Sequence, residues 1–475
     1  MDGLQSKRRR FRRLTAALIV ALVLFGWFDV RRRARIEADN PESHRTDITI
    51  FTGAGAAFLA DDAPYEYANP RGWRYAYPPL CALLLAPLAW LSTQTQAVVW
   101  YAISCGLMWW TWRDAVRISR QFCLDIRLAP QYESAGRWLG GIALATAALP
   151  VLNCLQRGQV GVLNLWLLVW GLRLLIEAKS WPGALVSGFV LAMPAVVKVT
   201  PSLPALAAVG VWGLARAREG RWTEGAAAPV GLALGGLAGL FLVPALVLGW
   251  SANWRHLGTW TDSILSMAVE VDPSSTLETP YTLRNQSLTN AVYRAGNTFD
   301  YWLFGGPDDR AIDAIPFNPG HQLRMDAPLV GTLLTVVRLL LLGLLGQVGW
   351  RAVQSGDRFA LARVFALACV ASLIVSPLSR GYYFVLWLPA VLWGNNVQFD
   401  GPRSRLEQVL LWMPLVATSL HYLWLPVAGR LGVLGLATTA WYVLAAWHAL
   451  RRERVLKLAV EGPVVSVNSS QRRVA

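Results

Sequence analysis

Charge is what this chain has least of. Asp, Glu, Lys and Arg make up only 15% of its 475 residues, where a soluble domain carries roughly 25%. Cysteine is scarce as well. Cys81, Cys105, Cys123, Cys154 and Cys369 lie in or beside apolar runs without CxxC or metal-ligand spacing. That excludes a disulfide framework and a zinc site. The five histidines are scattered, with no HxxxH or HExxH pair, so no metal ion or other cofactor is expected. A small-residue cleavage site is also missing between the apolar stretch Leu14–Val30 and Arg31-Arg32-Arg33. The stretch therefore reads as a retained span with the N-terminus in the cytoplasm, not as a cleaved signal.

What is present is apolar length. Hydrophobic residues make up 55% of the chain, and runs approaching the ~20 residues that cross a hydrocarbon core recur from residue 14 to residue 449. Backbone polar groups in lipid must be satisfied internally, so these runs are predicted to be helices. The fold class is an all-α integral membrane protein, a polytopic helical bundle. Pro194, Pro201 and Pro204 predict a break near residue 200, because proline removes a helix donor.

The net charge of +15 would suggest nucleic acid in a soluble protein. Here the basic residues cluster at the ends of apolar runs, at Lys7–Arg13, Arg216–Arg221 and Arg451–Arg454. That is the positive-inside pattern of a membrane protein, and no nucleic acid is expected. Basic ends at both termini place both in the cytoplasm and call for an even count, about 12 spans. The domain plan is a basic N-terminus (1–13), a transmembrane domain (14–450) and a basic, then polar tail (451–475) that reads as disordered. Two long segments, 31–77 and 250–327, read as outer loops. The second is rich in acids, among them Asp262, Glu270, Asp272 and Glu278.

Several polar residues interrupt this pattern. Asp47 heads a run, Ile48, Ile50, Phe51 and Phe58, that reads as an amphipathic segment at the interface. A carboxylate held there is suited to take a proton from an acceptor hydroxyl. The alternative is a helix N-cap. Tyr77-Pro78-Pro79-Leu80 is a rigid entry into the next helix, and it also positions Trp73, Tyr75 and Tyr77 toward a sugar or a lipid. Arg157-Gly158-Gln159-Val160 and Lys198-Val199-Thr200-Pro201 put ionisable groups beside apolar runs. Such residues are functional-site candidates, although Lys and Arg also snorkel to the interface, and Gln159 and Asn164 have helix–helix hydrogen bonding as an alternative role. Asn285-Gln286-Ser287 matches a glycosylation acceptor pattern; alternatively Arg284 and Asn285 contact a phosphate or a sugar. Arg380, after Ser376-Pro377-Leu378-Ser379, reads as a phosphate partner or an interfacial anchor.

Taken in order, these segments resemble glycosyltransferase family 87, the polyprenol-phosphate-mannose-dependent enzymes of the GT-C superfamily. The pieces are Asp47, Tyr65 after Asp61-Asp62-Ala63-Pro64, Tyr77-Pro78-Pro79-Leu80 and Gly158-Gln159-Val160. Then come Gly183–Gly188 leading to Val197-Lys198-Val199-Thr200-Pro201, Asn285-Gln286-Ser287-Leu288 and Ser376-Pro377-Leu378-Ser379. The resemblance implies a GT-C-type bundle. It implies inverting transfer of a sugar, mannose in the family's name, from a polyprenyl phosphate to an acceptor hydroxyl of a glycolipid, glycan or protein. Asp47 holds the place of the base, with Tyr65, Tyr77, Gln159, Lys198, Arg284, Asn285 and Arg380 as substrate-binding candidates. The chain departs from the family pattern where a tryptophan and a histidine pair are expected; it has Arg380 and Tyr382-Tyr383. Two rival readings are a transporter or flippase of lipid-linked or small polar solutes, which broken helices would also suit, and a catalytically dead assembly partner.

Overall fold

The computed structural model describes residues 17, 20–37, 39–125, 131–269, 284–292, 295, 327–394 and 404–461. The basic terminus 1–13, most of the 250–327 loop and the tail beyond 461 lie outside the described residues. Among the described residues every regular element is helical, and β pairing is limited to isolated bridges. This is the all-α architecture that the apolar runs predict.

After an N-terminal helix that ends at Arg33, the elements are α1 (Ile48–Leu59), α2 (Pro79–Leu85), α3 (Thr93–Asp125), α4 (Gln131–Arg157), α5 (Gly161–Glu177), α6 (Trp181–Val197) and α7 (Ser202–Arg218). They continue with α8 (Trp222–Leu237), α9 (Trp250–Val269), α10 (Ala327–Ser355), α11 (Arg358–Val375), α12 (Trp387–Trp393), α13 (Arg405–Leu423) and α14 (Val433–Glu461). The last helix runs on into the segment that reads as a tail from residue 451.

Five helical stretches among the described residues are long and apolar enough to cross a membrane: Trp138–Arg157, Trp222–Leu248, Leu329–Ser355, Arg358–Val375 and Val433–Arg451. Their burial sorts them. Arg358–Val375 is 83% buried, whereas Trp222–Leu248 and Leu329–Ser355 are each only 22% buried. A helix apolar on all sides yet largely uncovered is suited to lipid, not water. α11 is thus the axis of the bundle, and α8 and α10 form part of its rim. α6 and α8 pack closely, because Gly231 and Gly235 bring their backbones against Leu185 and Phe189; small residues let membrane helices approach in this way. The prolines break the chain where expected: α6 ends at Val197, and Lys198 follows in extended conformation.

A second, smaller core carries the region of interest. It joins Ile48, Phe51 and Phe58 of α1 to Tyr75, Trp100, Val160 and Val197. Phe51 and Phe58 meet the Tyr75 ring edge-on at 6.3 and 6.0 Å. The segment read as amphipathic and interfacial is instead buried on most sides, with eight of the twelve residues of α1 inside. Of the other four, Gly53 and Ala57 are half-buried, and only Ala56 and Leu59 are exposed.

Candidate active site

The end of α4 creates the site. The helix stops at Arg157 because Gly158 takes φ +66°, a conformation that favours glycine. A side chain at Gly158 would also come within 3.0 Å of Thr46 and Ile48. Backbone bonds then fasten the two segments: the Asp47 N–H donates to the Arg157 carbonyl at 2.6 Å, and the Thr46 hydroxyl donates to the same oxygen at 3.3 Å.

This junction sets Asp47, only 1% exposed, against two side chains from the same turn. Arg157 Nε donates to Oδ2 at 2.9 Å and Nη2 to Oδ1 at 3.1 Å, while Gln159 Nε2 also donates to Oδ2. Asp47 occupies the N-cap position of α1 but makes no side-chain cap bond. A carboxylate offers about four lone-pair sites over its two oxygens. Oδ2 has two partners and Oδ1 one, so Oδ1 retains capacity for a hydroxyl. The Arg157 guanidinium lies over the rings of Trp73 and Tyr382, 4.6 and 5.6 Å from their centroids. Its direction is therefore fixed by aromatic walls as well as by Asp47.

His44 steadies the loop that carries Asp47. One ring nitrogen lies 2.8 Å from the Thr49 hydroxyl and the other 3.3 Å from the Arg35 carbonyl. Burial pushes its pKa below the usual imidazole range, and the carbonyls of Arg35 and Ala34 only partly offset that, so the ring is a neutral strut at pH 7.

Tyr77 and Lys198 form the adjoining wall. Pro78 and Pro79 start α2, as the sequence predicts, and Tyr75 accepts from the Ala82 N–H at 3.0 Å to brace this corner. Tyr65 donates to the Tyr77 carbonyl at 3.3 Å, so it holds the Tyr77 backbone. Lys198 is 5% exposed. Its ammonium donates to the Tyr77 hydroxyl at 3.3 Å and sits 3.6 Å from the Tyr383 ring centroid, 5.0 Å from Tyr77 and 5.3 Å from Tyr382. No carboxylate pairs with it among the described residues. Ring contacts are worth about 0.5–2 kcal/mol each, whereas taking an ammonium out of water costs several kcal/mol. The cage offsets only part of that cost, and an anion would supply the rest.

The 376–380 corner closes the site from the other half of the chain. Asn285 pairs with Arg380 in an isolated antiparallel bridge. Its Oδ1 accepts from the backbone of Ser379 at 2.9 Å and of Ser287 at 3.1 Å, and its Nδ2 donates to the Pro377 carbonyl at 3.2 Å. A fully buried Asn285 thus clips the 284–288 segment to this corner. Arg380 lies within electrostatic reach of Lys198 and Tyr382. Arg284 is exposed at the rim, near Asp47, Arg157, Arg71 and Arg45. Asp47, Tyr77, Gln159, Lys198 and Arg380 therefore converge; Tyr65 and Asn285 brace the walls. Sequence reasoning singles out the Arg157 segment but not its pairing with Asp47, and it misses His44. The available signals were an arginine-glycine stop at the end of an apolar run and a histidine three residues before the lone aspartate.

The model of glycosyltransferase family 87 matches residues 75–377. The chain belongs to this family. The family 87 match takes in Tyr77, Gln159, Lys198, Arg284 and Asn285, while Asp47 and Tyr65 precede it and Arg380 follows. The chain is also similar to curated mannosyltransferases. One is the polyprenol-phosphate-mannose-dependent alpha-(1-2)-phosphatidylinositol mannoside mannosyltransferase of Mycolicibacterium smegmatis, 24% identical over 416 residues, covering 81% of this chain and 80% of the relative. Another is the polyprenol-phosphate-mannose-dependent alpha-(1-2)-phosphatidylinositol pentamannoside mannosyltransferase of Mycobacterium tuberculosis, 25% identical over 389 residues, covering 80% of this chain and 72% of the relative. No solved structure matches. Family membership bears out the resemblance seen in the motifs and sets this chain among glycosyltransferases, away from transporters.

Proposed function

We propose that this family 87 protein transfers mannose from a polyprenyl phosphate to a hydroxyl of a membrane glycolipid, at the outer face and with inversion. The observation that carries the reading is an oriented carboxylate and an ammonium without a carboxylate partner among the described residues, both close to Tyr382. The acceptor O–H gives its proton to Asp47 Oδ1 as its oxygen attacks the anomeric carbon. The bond from that carbon to the phosphate oxygen breaks, and polyprenyl phosphate leaves. Lys198 faces the charge that gathers on the phosphate, with Arg380 beside it; preorganised cations lower such a barrier. Arg157 and Gln159 aim the base, and Arg284 stands at the rim where an acceptor enters.

Membranes that contain the protein should move radiolabel from polyprenyl-phosphate mannose to added phosphatidylinositol mannosides. Label that moves only from a nucleotide sugar would overturn the reading.

The orientation follows from the same residues. The site gathers the start of α1 and the ends of α4, α6 and α11. Arg358 at the far end of α11, Arg216 and Arg218 at the end of α7, Arg221 before α8 and Arg351 near the end of α10 lie away from the site and favour the cytoplasm. α2 begins beside Tyr77, and the chain after it returns to the same side, where Thr93 donates to the Ala34 carbonyl at 2.9 Å. α2 is then a short dip instead of a crossing. The N-terminal helix, α3–α8, α10, α11, the helical stretch Gly381–Trp393 that ends in α12, α13 and α14 give about 12 crossings with both termini inside. Segments 31–77 and 250–327 then face outward. A membrane-impermeant thiol reagent on intact cells should label Asp62→Cys, and should label Arg221→Cys only after permeabilisation. The opposite pattern would invert the topology.

A further inference from the structure

α13 brings one more group to this shell. Tyr422 sits at its penultimate position, and its hydroxyl oxygen is buried with no hydrogen-bond partner among the described residues. The oxygen presses on the corner that carries Arg380 and Tyr382: a Cβ built on Gly381 would stand only 2.7 Å from it. It also lies within electrostatic reach of Arg157 and Tyr382. A second atom has the same property. Gln159 donates through Nε2 to Asp47, which fixes the amide's direction, and its Oε1 is left buried without a partner. Buried polar atoms are nearly always paired. Two exceptions here flank the Asp47–Arg157 pair, and they differ in kind: the Gln159 oxygen only accepts, while the Tyr422 hydroxyl both donates and accepts.

We propose that Tyr422 is a specificity-determining residue that binds a hydroxyl of a sugar in this site, with Gln159 Oε1 receiving another. The assignment rests on the transferase reading above. A sugar hydroxyl has the chemistry both atoms lack, being donor and acceptor at once. It belongs either to the transferred mannose or to the acceptor sugar. Tyr422 lies outside the segment that matches the family model.

The test is Tyr422→Phe, which removes one oxygen and keeps the ring. Because that oxygen has no partner among the described residues, thermal stability should hold or rise slightly. Catalytic efficiency, kcat/KM, should fall roughly two- to thirteen-fold, the worth of one neutral hydrogen bond. Wild-type protein and the variant are then compared on mannosyl donors and mannoside acceptors that each lack a single hydroxyl. A site built to bond a hydroxyl rejects the analogue without it. One such analogue should carry a penalty in the wild type that disappears in Tyr422→Phe; whether it is a donor or an acceptor identifies the sugar. Unchanged efficiency would overturn the proposal and mean that the hydroxyl holds only water. So would a loss of rate that follows a loss of stability, or retention of every analogue's penalty. Absence of any transfer by the unaltered protein would instead sink the transferase reading together with this assignment.

Discussion

Asp47→Asn should lower transfer by about 10²–10⁴-fold, the usual cost of removing a positioned base. The carboxamide keeps the size of the side chain but takes no proton at neutral pH. The structure adds a complication that the sequence does not reveal: Asp47 is also the counter-ion of Arg157. Breaking a buried pair destabilises a fold by about 3–5 kcal/mol, so a dead Asp47→Asn by itself does not separate a base from a structural anion. The double variant Asp47→Asn/Arg157→Gln does. It removes both charges and keeps hydrogen-bonding groups in place, so detergent-solubilised protein should regain much of the lost thermal stability. Transfer should stay at the level of Asp47→Asn. Recovery of activity together with stability would show that the carboxylate serves Arg157 alone. Asp61→Asn and Asp62→Asn, at carboxylates on the exposed turn after α1, should transfer at near wild-type rates; a collapse in either would move the base to that turn.

Lys198→Met should reduce kcat/KM for the polyprenyl-phosphate donor by about 10²-fold, in the range found when one preorganised stabilising group is lost. Stability should move the other way. Methionine fills the aromatic cage with an apolar chain and removes a buried ammonium that has no carboxylate partner among the described residues, and such replacements are often neutral or stabilising. Arg35→Ala is the control, since its side chain is exposed in the outer segment and its loss should change little. Donor titrations read the difference directly. If Lys198→Met and Arg35→Ala turn over alike, the ammonium is an anchor held by tyrosines and the phosphate lies elsewhere.

Much of this arrangement is legible along the chain, for identifiable reasons. Apolar runs become helices because lipid offers the backbone no partners, and Pro201 marks the break that leaves Lys198 extended. Asp47, Tyr77 and Lys198 stand out because polar groups beside apolar runs are costly unless used. Other features are invisible for equally physical reasons. Arg157 meets Asp47 across 110 positions, and no local pattern announces such a pair. The run after Asp47 has the spacing of an interfacial helix, yet Tyr75 and α2 cover it, and periodicity does not report what a neighbouring loop will do. Asn285 reads as a glycan acceptor or a ligand contact; its hydrogen bonds to residues 377 and 379 depend on a corner more than ninety residues away. Tyr422 carries no motif at all and acquires meaning only from the oxygen it leaves unpaired beside Gly381.

The route of the chain through this site has a consequence for its biosynthesis. Ribosomes deliver residues from the N-terminus, so Asp47 emerges before α4 exists. A product stopped before residue 157 carries the Asp47 carboxylate without its arginine partner, and one stopped before residue 382 lacks two of the three rings around Lys198. The cluster is therefore not complete until the chain has been made past residue 383, so this part of the fold is among the later ones to assemble.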